Sequence, residues 1–154
     1  MSTPPPELTT LELTDDMKRA IARAFEIGRP IAIAYVDESG APQLSYRGST
    51  QAYSDTELAI WVRNADGRIL ESIARNPAVA LIYGRFEPGD RDFMILRGRA
   101  RTEDSKVVRD HVYEHAHPFE QSQDAERKGV AVIIDLESVD GFFGGARLRM
   151  RAAT

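Results

Sequence analysis

The 154-residue sequence predicts a mainly β domain with α-helices, an antiparallel closed or split β-barrel of six or more strands with flanking helices. Three observations predict it. Short runs rich in branched and aromatic residues recur at close spacing from Ile31 onward. Turn chemistry, such as Asp37-Glu38-Ser39-Gly40 and Glu87-Pro88-Gly89-Asp90, separates them. Helical spacing of apolar residues is confined to short interruptions between the strands. So many strands in so short a chain favour closure, because a barrel has no exposed sheet edge.

The elements follow in chain order. Residues 1–13, with Pro4-Pro5-Pro6, read as a flexible or loosely docked arm, since three prolines exclude a helix interior or a central strand. Residues 14–154 read as a single domain. Thr14 is placed to cap a helix over 15–27, with Asp15 and Asp16 favoured by the helix dipole in its first turn. Met17, Ile21, Ala24 and Phe25 form its apolar face, and Gly28 and Pro30 stop it. Ile31 to Val36, Gln43 to Tyr53 and Leu58 to Val62 read as three strands of a meander. A short helix over 66–75 follows, closed by Asn76-Pro77. Strands over 78–86 and 92–101 come next, then a helix over 104–115 with Val107, Val108, His111 and Val112 on one side. The polar stretch 119–128 reads as helix or loop. Val130 to Leu136 and Arg147 to Arg151 read as the last strands.

Composition narrows the function classes. Net charge is −4, which gives no general case for nucleic-acid or membrane binding. Arg outnumbers Lys 17 to 3. The chain has no Cys, so disulfides, thiolate metal sites and cysteine nucleophiles are excluded. The N-terminal segment lacks the basic-then-apolar order of a signal peptide, and no apolar run approaches a membrane span. A cytoplasmic protein is expected. His111-Val112-Tyr113-Glu114-His115 matches the inverted zinc-peptidase pattern, with two His at i and i+4 on one helix face. The third ligand usually comes from a later helix, and the residues after His115 read mainly as strands. Surface or helix-packing histidines and no metal are therefore expected.

Three segments, in their order and spacing, resemble the flavin-binding split barrels of the pyridoxamine 5'-phosphate oxidase-like family. The most specific is Leu58 to Leu81, LAIWVRNADGRILESIARNPAVAL: strand, short loop with a basic residue, short helix, Asn-Pro and core strand. The others are Pro42 to Thr50, PQLSYRGST, and Leu96 to Ala100, LRGRA. The resemblance spans about residues 14–142. The chain departs from the family pattern at Asp66-Gly67-Arg68, with one basic residue where a pair is common, and at Gly141-Phe142-Phe143-Gly144-Gly145.

The resemblance implies an FMN cofactor, an oxidoreductase acting on a small molecule, and a homodimer with its cofactor cleft between two copies. It leaves open the deazaflavin F420 in an F420-dependent reductase, and a non-enzymatic flavin- or haem-binding stress-response protein. It does not name a substrate. The residues expected at the cofactor are Arg47, Gly48, Ser49, Thr50, Trp61, Val62, Arg63 and Arg68. Arg68 opens a predicted helix, where unpaired N–H groups and the dipole favour a phosphate. Arg47 lies in a predicted strand beside a glycine and two hydroxyls. A guanidinium fork matches phosphate oxygens. Trp61 is expected either on the flavin ring or in the core. Arg147, Arg149 and Arg151 alternate in the last strand, as on a solvated face or one turned toward a partner's cofactor.

Overall fold

The computed structural model describes residues 3–63 and 68–153. Among the described residues nine strands and four helices follow in the order β1 (Leu8–Thr10), α1 (Asp15–Arg23), β2 (Ala32–Val36), β3 (Pro42–Tyr46), β4 (Gln51–Ala52), β5 (Glu57–Val62), α2 (Arg68–Arg75), β6 (Ala78–Glu87), β7 (Asp90–Glu103), α3 (Lys106–Glu114), α4 (Pro118–Ser122), β8 (Val130–Phe143) and β9 (Ala146–Arg151). The architecture is the mainly β split barrel with flanking helices that the sequence predicts.

β8 organises the sheet. One edge pairs with β7 along nearly its whole length. The other edge pairs β5 through Val130–Asp135 and β9 through Ser138–Phe143. From β7 the sheet continues through β6 and β2 to β3. Between β3 and β4 residues 47–50 carry the chain across to β5 without a ladder among the described residues, and this is the split. The β7–β8 register shifts between Arg97 and Gly98. A Cβ at Gly98 would lie 2.2 Å from the Asp135 carbonyl oxygen, so this bulge needs a glycine.

The barrel interior holds Ile33, Leu58, Ile60, Leu81, Met94, Leu96, Val132, Ile134, Leu148 and Met150, all buried. Met17 and Ile21 of α1 join this core. The Thr14 hydroxyl accepts from the Met17 amide at 3.2 Å, so the predicted cap fixes where α1 begins. A second cluster lies outside the barrel wall: Ala59, Trp61, Ala131 and Ile133 are covered by Val112 and Tyr113 of α3. β5 and the first half of β8 are thus buried on both faces, which explains their continuous rather than alternating apolar runs.

Several boundaries differ from the sequence reading. The predicted strand over 43–53 is broken. The Thr50 amide and hydroxyl both donate to the Arg47 carbonyl, at 3.2 and 2.7 Å, and close a turn that ends β3 and starts β4. The N-terminal segment is docked in its second half: β1 pairs in parallel with β9, and Leu11 and Leu13 are buried. The first helix stops at Arg23, earlier than 27. β8 runs on through Phe143, so Gly144-Gly145 is a hairpin turn into β9. Val107 is 78% exposed rather than on the packed side of α3. Residues 118–122 form a short helix capped by His117. Asp66 and Gly67 lie outside the described residues.

Candidate functional site

The turn that breaks the predicted strand places Arg47 and Gly48 at the split. The Arg47 amide donates to the Ile31 carbonyl at 2.8 Å, which anchors the turn to the start of β2. The Arg47 side chain is half-buried, and its Nε is buried without a hydrogen-bond partner. Burial lowers its pKa most, and Arg63 pushes the same way, while Tyr35 and Glu120 oppose. Arg63, just past β5, reaches Glu120 of α4 with Nε to Oε2 at 3.4 Å. Glu120 is 8% exposed, an uncommon state for a glutamate without a partner.

Gly48 completes the group. A Cβ built there would lie 2.5 Å from Glu120 Oε1 and 2.7 Å from the Phe25 ring. Phe25 packs edge-on to His117, with centroids 4.9 Å apart, and stacks on Phe119 at 5.8 Å. The Arg63 guanidinium and the side-chain-free backbone of Gly48 thus meet one buried carboxylate, with the Arg47 guanidinium within its electrostatic reach. Chemically this is an oxyanion cradle, and Glu120 sits in it. Of this group the sequence reading names Arg47, Gly48 and Arg63 as expected cofactor residues and does not name Glu120 or Phe25 among them. Nothing local marks them, because they arrive from distant segments.

The other expected residues are used differently. The Ser49 hydroxyl donates to the Trp61 carbonyl at 3.1 Å and accepts from the Trp61 amide at 2.8 Å, joining the turn to β5. Thr50 is held by its bonds to Arg47. Trp61 is in the core, 2% exposed, with its indole N–H donating to Asp124 at 2.9 Å and its ring edge-on to Tyr113. Val62 is buried in the barrel. Neighbouring Gln51 donates to the Val112 carbonyl at 2.9 Å and ties α3 to the same turn. These residues build the wall behind the cradle. Arg68 opens α2 but is exposed, and it lines a shallow depression with Asp37, Glu38, Ser39 and Glu71.

Two further groups of polar side chains lie outside the cradle. The His111 and His115 rings stack with centroids 4.0 Å apart, and His115 Nδ1 lies 2.8 Å from the His111 carbonyl oxygen. His117 Nδ1 accepts from the Phe119 amide and caps α4. Among the described residues no group of three or more His, Asp or Glu side chains is placed to hold a metal. A cavity of about 400 Å³ is lined by Arg19, Arg23, Arg29, Arg85 and Tyr83. Its arginines are largely paired: Arg19 with Asp16, Arg29 with Glu87, and Arg85 with Glu87 and Asp90.

One side of the outer sheet surface carries exposed apolar side chains. Tyr46, Ala32, Ile82 and Ile95 form one cross-strand row, and Leu44, Ala34 and Ala80 the next. Leu44 is 76% exposed, Tyr46 73% and Ile82 51%. Phe86 continues the surface and stacks on Phe93. On β9, Arg147, Arg149 and Arg151 all face outward, and Arg151 pairs with Asp140 at 2.9 Å.

HupZ of Group A Streptococcus superposes with a TM-score of 0.64 at 19% identity, covering 87% of this chain and 97% of that one. A Clostridium acetobutylicum protein related to general stress protein 26 of B. subtilis, of the pyridoxinephosphate oxidase family, gives 0.62 at 8% identity, covering 90% and 96%. An FMN-binding protein from Syntrophomonas wolfei gives 0.62 at 5%, covering 83% and 87%. This chain has their fold. At these identities the likeness concerns the fold alone. The sequence matches no family model and none of the curated proteins. Among the described residues no helix is long and apolar enough to cross a membrane.

Proposed function

We propose that this chain is a flavin-binding protein of the pyridoxamine 5'-phosphate oxidase-like family, which holds FMN by its phosphate at Arg47 and Arg63. The observation that carries the proposal is the cradle itself. Arg47 keeps a buried guanidinium N–H without an acceptor, beside Arg63 and a glycine that leaves room for a ligand oxygen. A buried donor without a partner is costly, and a phosphate oxygen would satisfy it with a charge-assisted bond. The residues present therefore fit the group. Arg68 is set among Asp37, Glu38 and Glu71, so the proposal gives the phosphate to Arg47 and Arg63 instead. The solved structure called an FMN-binding protein supports the choice of cofactor.

When bound, FMN supplies hydride and electron transfer, and the protein would act as an oxidoreductase on a small molecule in the cytoplasm. This chain's own part is narrower. Arg47 and Arg63 bind and orient the phosphate. Ser49 and Gln51 hold the turn that carries Arg47, and Trp61, packed under α3, keeps water from the back of the cradle. The exposed patch of Leu44, Tyr46 and Ile82 supports a homodimer, since such a patch is rarely left to solvent.

The test is substitution. Arg47→Ala and Arg63→Ala should each weaken FMN binding by about ten- to a hundredfold, the equivalent of about 1.5–3 kcal/mol per charge-assisted contact. Arg68→Ala should change it by less than about threefold. The reverse order would move the phosphate to the start of α2.

A further inference from the structure

Resting on that reading, we propose that Glu120 is a resident competitor for the cofactor phosphate: α4 seats a carboxylate in the cradle, and the ligand must displace it. Both anions would use Arg63 and the space beside Gly48. Glu120 Oε2 takes the Arg63 Nε, and Oε1 takes the space left by the missing Cβ of Gly48. A phosphate cannot share that space with the carboxylate, and like charges at this distance repel.

The carboxylate fills the cradle imperfectly. Its contact with Arg63 is one long interaction of 3.4 Å, not a bidentate fork. Arg47 Nε is buried close by and has no acceptor. A phosphate monoester brings three terminal oxygens and can serve both arginines at once. The seat is thus strong enough to bury Glu120 and weak enough to yield.

The segment that carries Glu120 is built to move as a unit. α4 has only five residues. On the cradle side it rests on Phe25 through His117 and Phe119, and Phe119 is 50% exposed. Its tether is to α3: Gln121 donates to the Tyr113 carbonyl at 2.9 Å, and the Tyr113 hydroxyl donates to the Gln121 carbonyl at 3.1 Å. Rolling α4 off Phe25 frees Glu120 and leaves the tether to α3 intact. Glu120 then sets how strongly the site discriminates between phosphorylated and unphosphorylated ligands.

The experiment is a fluorescence titration of wild type and Glu120→Gln with FMN and with riboflavin. Glutamine keeps the shape and removes the charge. Expected is FMN binding about tenfold or more tighter in the variant, with riboflavin within about threefold. Equal FMN affinity in both proteins, or weaker binding in the variant, overturns the competitor and leaves the phosphate site standing. FMN binding by neither protein overturns the phosphate site and the competitor with it. Amide hydrogen exchange on wild type is the second measurement, independent of whether the variant folds. Saturating FMN should speed exchange across Pro118–Ser122, and unchanged or slower exchange counts against displacement.

Discussion

Replacing Asp124 by alanine should loosen the wall behind the cradle more than any other single surface-loop change. One carboxylate oxygen accepts from the buried Trp61 indole at 2.9 Å and from the Gly129 amide at 2.8 Å, and the other accepts from the Lys128 amide at 2.9 Å. Burial alone would raise the Asp124 pKa, yet the Lys128 amide, the Trp61 indole and the Gly129 amide together lower it. The charged form is therefore the one the fold selects. Alanine leaves two donors without an acceptor, at Trp61, which is 2% exposed, and at the buried Gly129. Each such loss costs about 1–3 kcal/mol, and the Lys128 bond, at the surface, adds little. The expected destabilisation is about 3 kcal/mol, a large share of the ~5–15 kcal/mol that holds a domain of this size. Urea unfolding followed by the fluorescence of Trp61, the chain's single tryptophan, reads it directly. The midpoint should fall with the slope unchanged. Asp124→Asn keeps one acceptor oxygen and should lose about half as much. A loss below about 0.5 kcal/mol for the alanine variant would refute the role given to this carboxylate.

Two further predictions are independent of Asp124. Asp37 accepts from the Ser39 hydroxyl, the Gln43 amide group and the Ala41 amide, which hold its pKa at about 2 against an ordinary 3.8. Because the folded state favours the charged form, Asp37 stabilises the protein above pH 3.8, and that contribution is lost as pH falls toward 2. Urea midpoints of wild type and Asp37→Asn should therefore differ at pH 5 and converge near pH 2, and a constant gap would contradict the assignment. Light scattering should give twice the 17.2 kDa chain mass for wild type, with an interface of roughly 1,500 Å² or more, and a monomer for Leu44→Asp combined with Tyr46→Asp. A wild-type monomer at micromolar concentration would remove the dimer.

Much of the fold is legible because local signals agree with tertiary demands. Thr14, Asp15 and Asp16 announce α1, and Glu87-Pro88-Gly89-Asp90 announces the hairpin between β6 and β7. The readings that failed did so where a distant partner decided the outcome. Gln43 to Tyr53 alternates like one strand, but the Arg47 carbonyl captures both the amide and the hydroxyl of Thr50 and bends the chain. Leu11 and Leu13 read as part of a flexible or loosely docked arm, yet both are buried in the core. The candidate site was legible in part for the same reason. Arg47, Gly48 and Arg63 stand near one another in sequence, beside strands that the periodicity finds. Glu120 reaches them across more than fifty residues, from a polar stretch with no periodicity to read. Ser49 and Trp61 have the right chemistry for a ligand, yet they bond to each other.

The most direct measurement of the central claim is a titration of the wild-type protein with FMN and with riboflavin, followed by quenching of flavin fluorescence. The two ligands share the ring system and differ only in the phosphate. If Arg47 and Arg63 anchor that phosphate, FMN binds at least about tenfold more tightly, and extra salt narrows the gap. Equal affinities, or no saturable binding of FMN, would contradict an anion-anchored flavin site at this cradle.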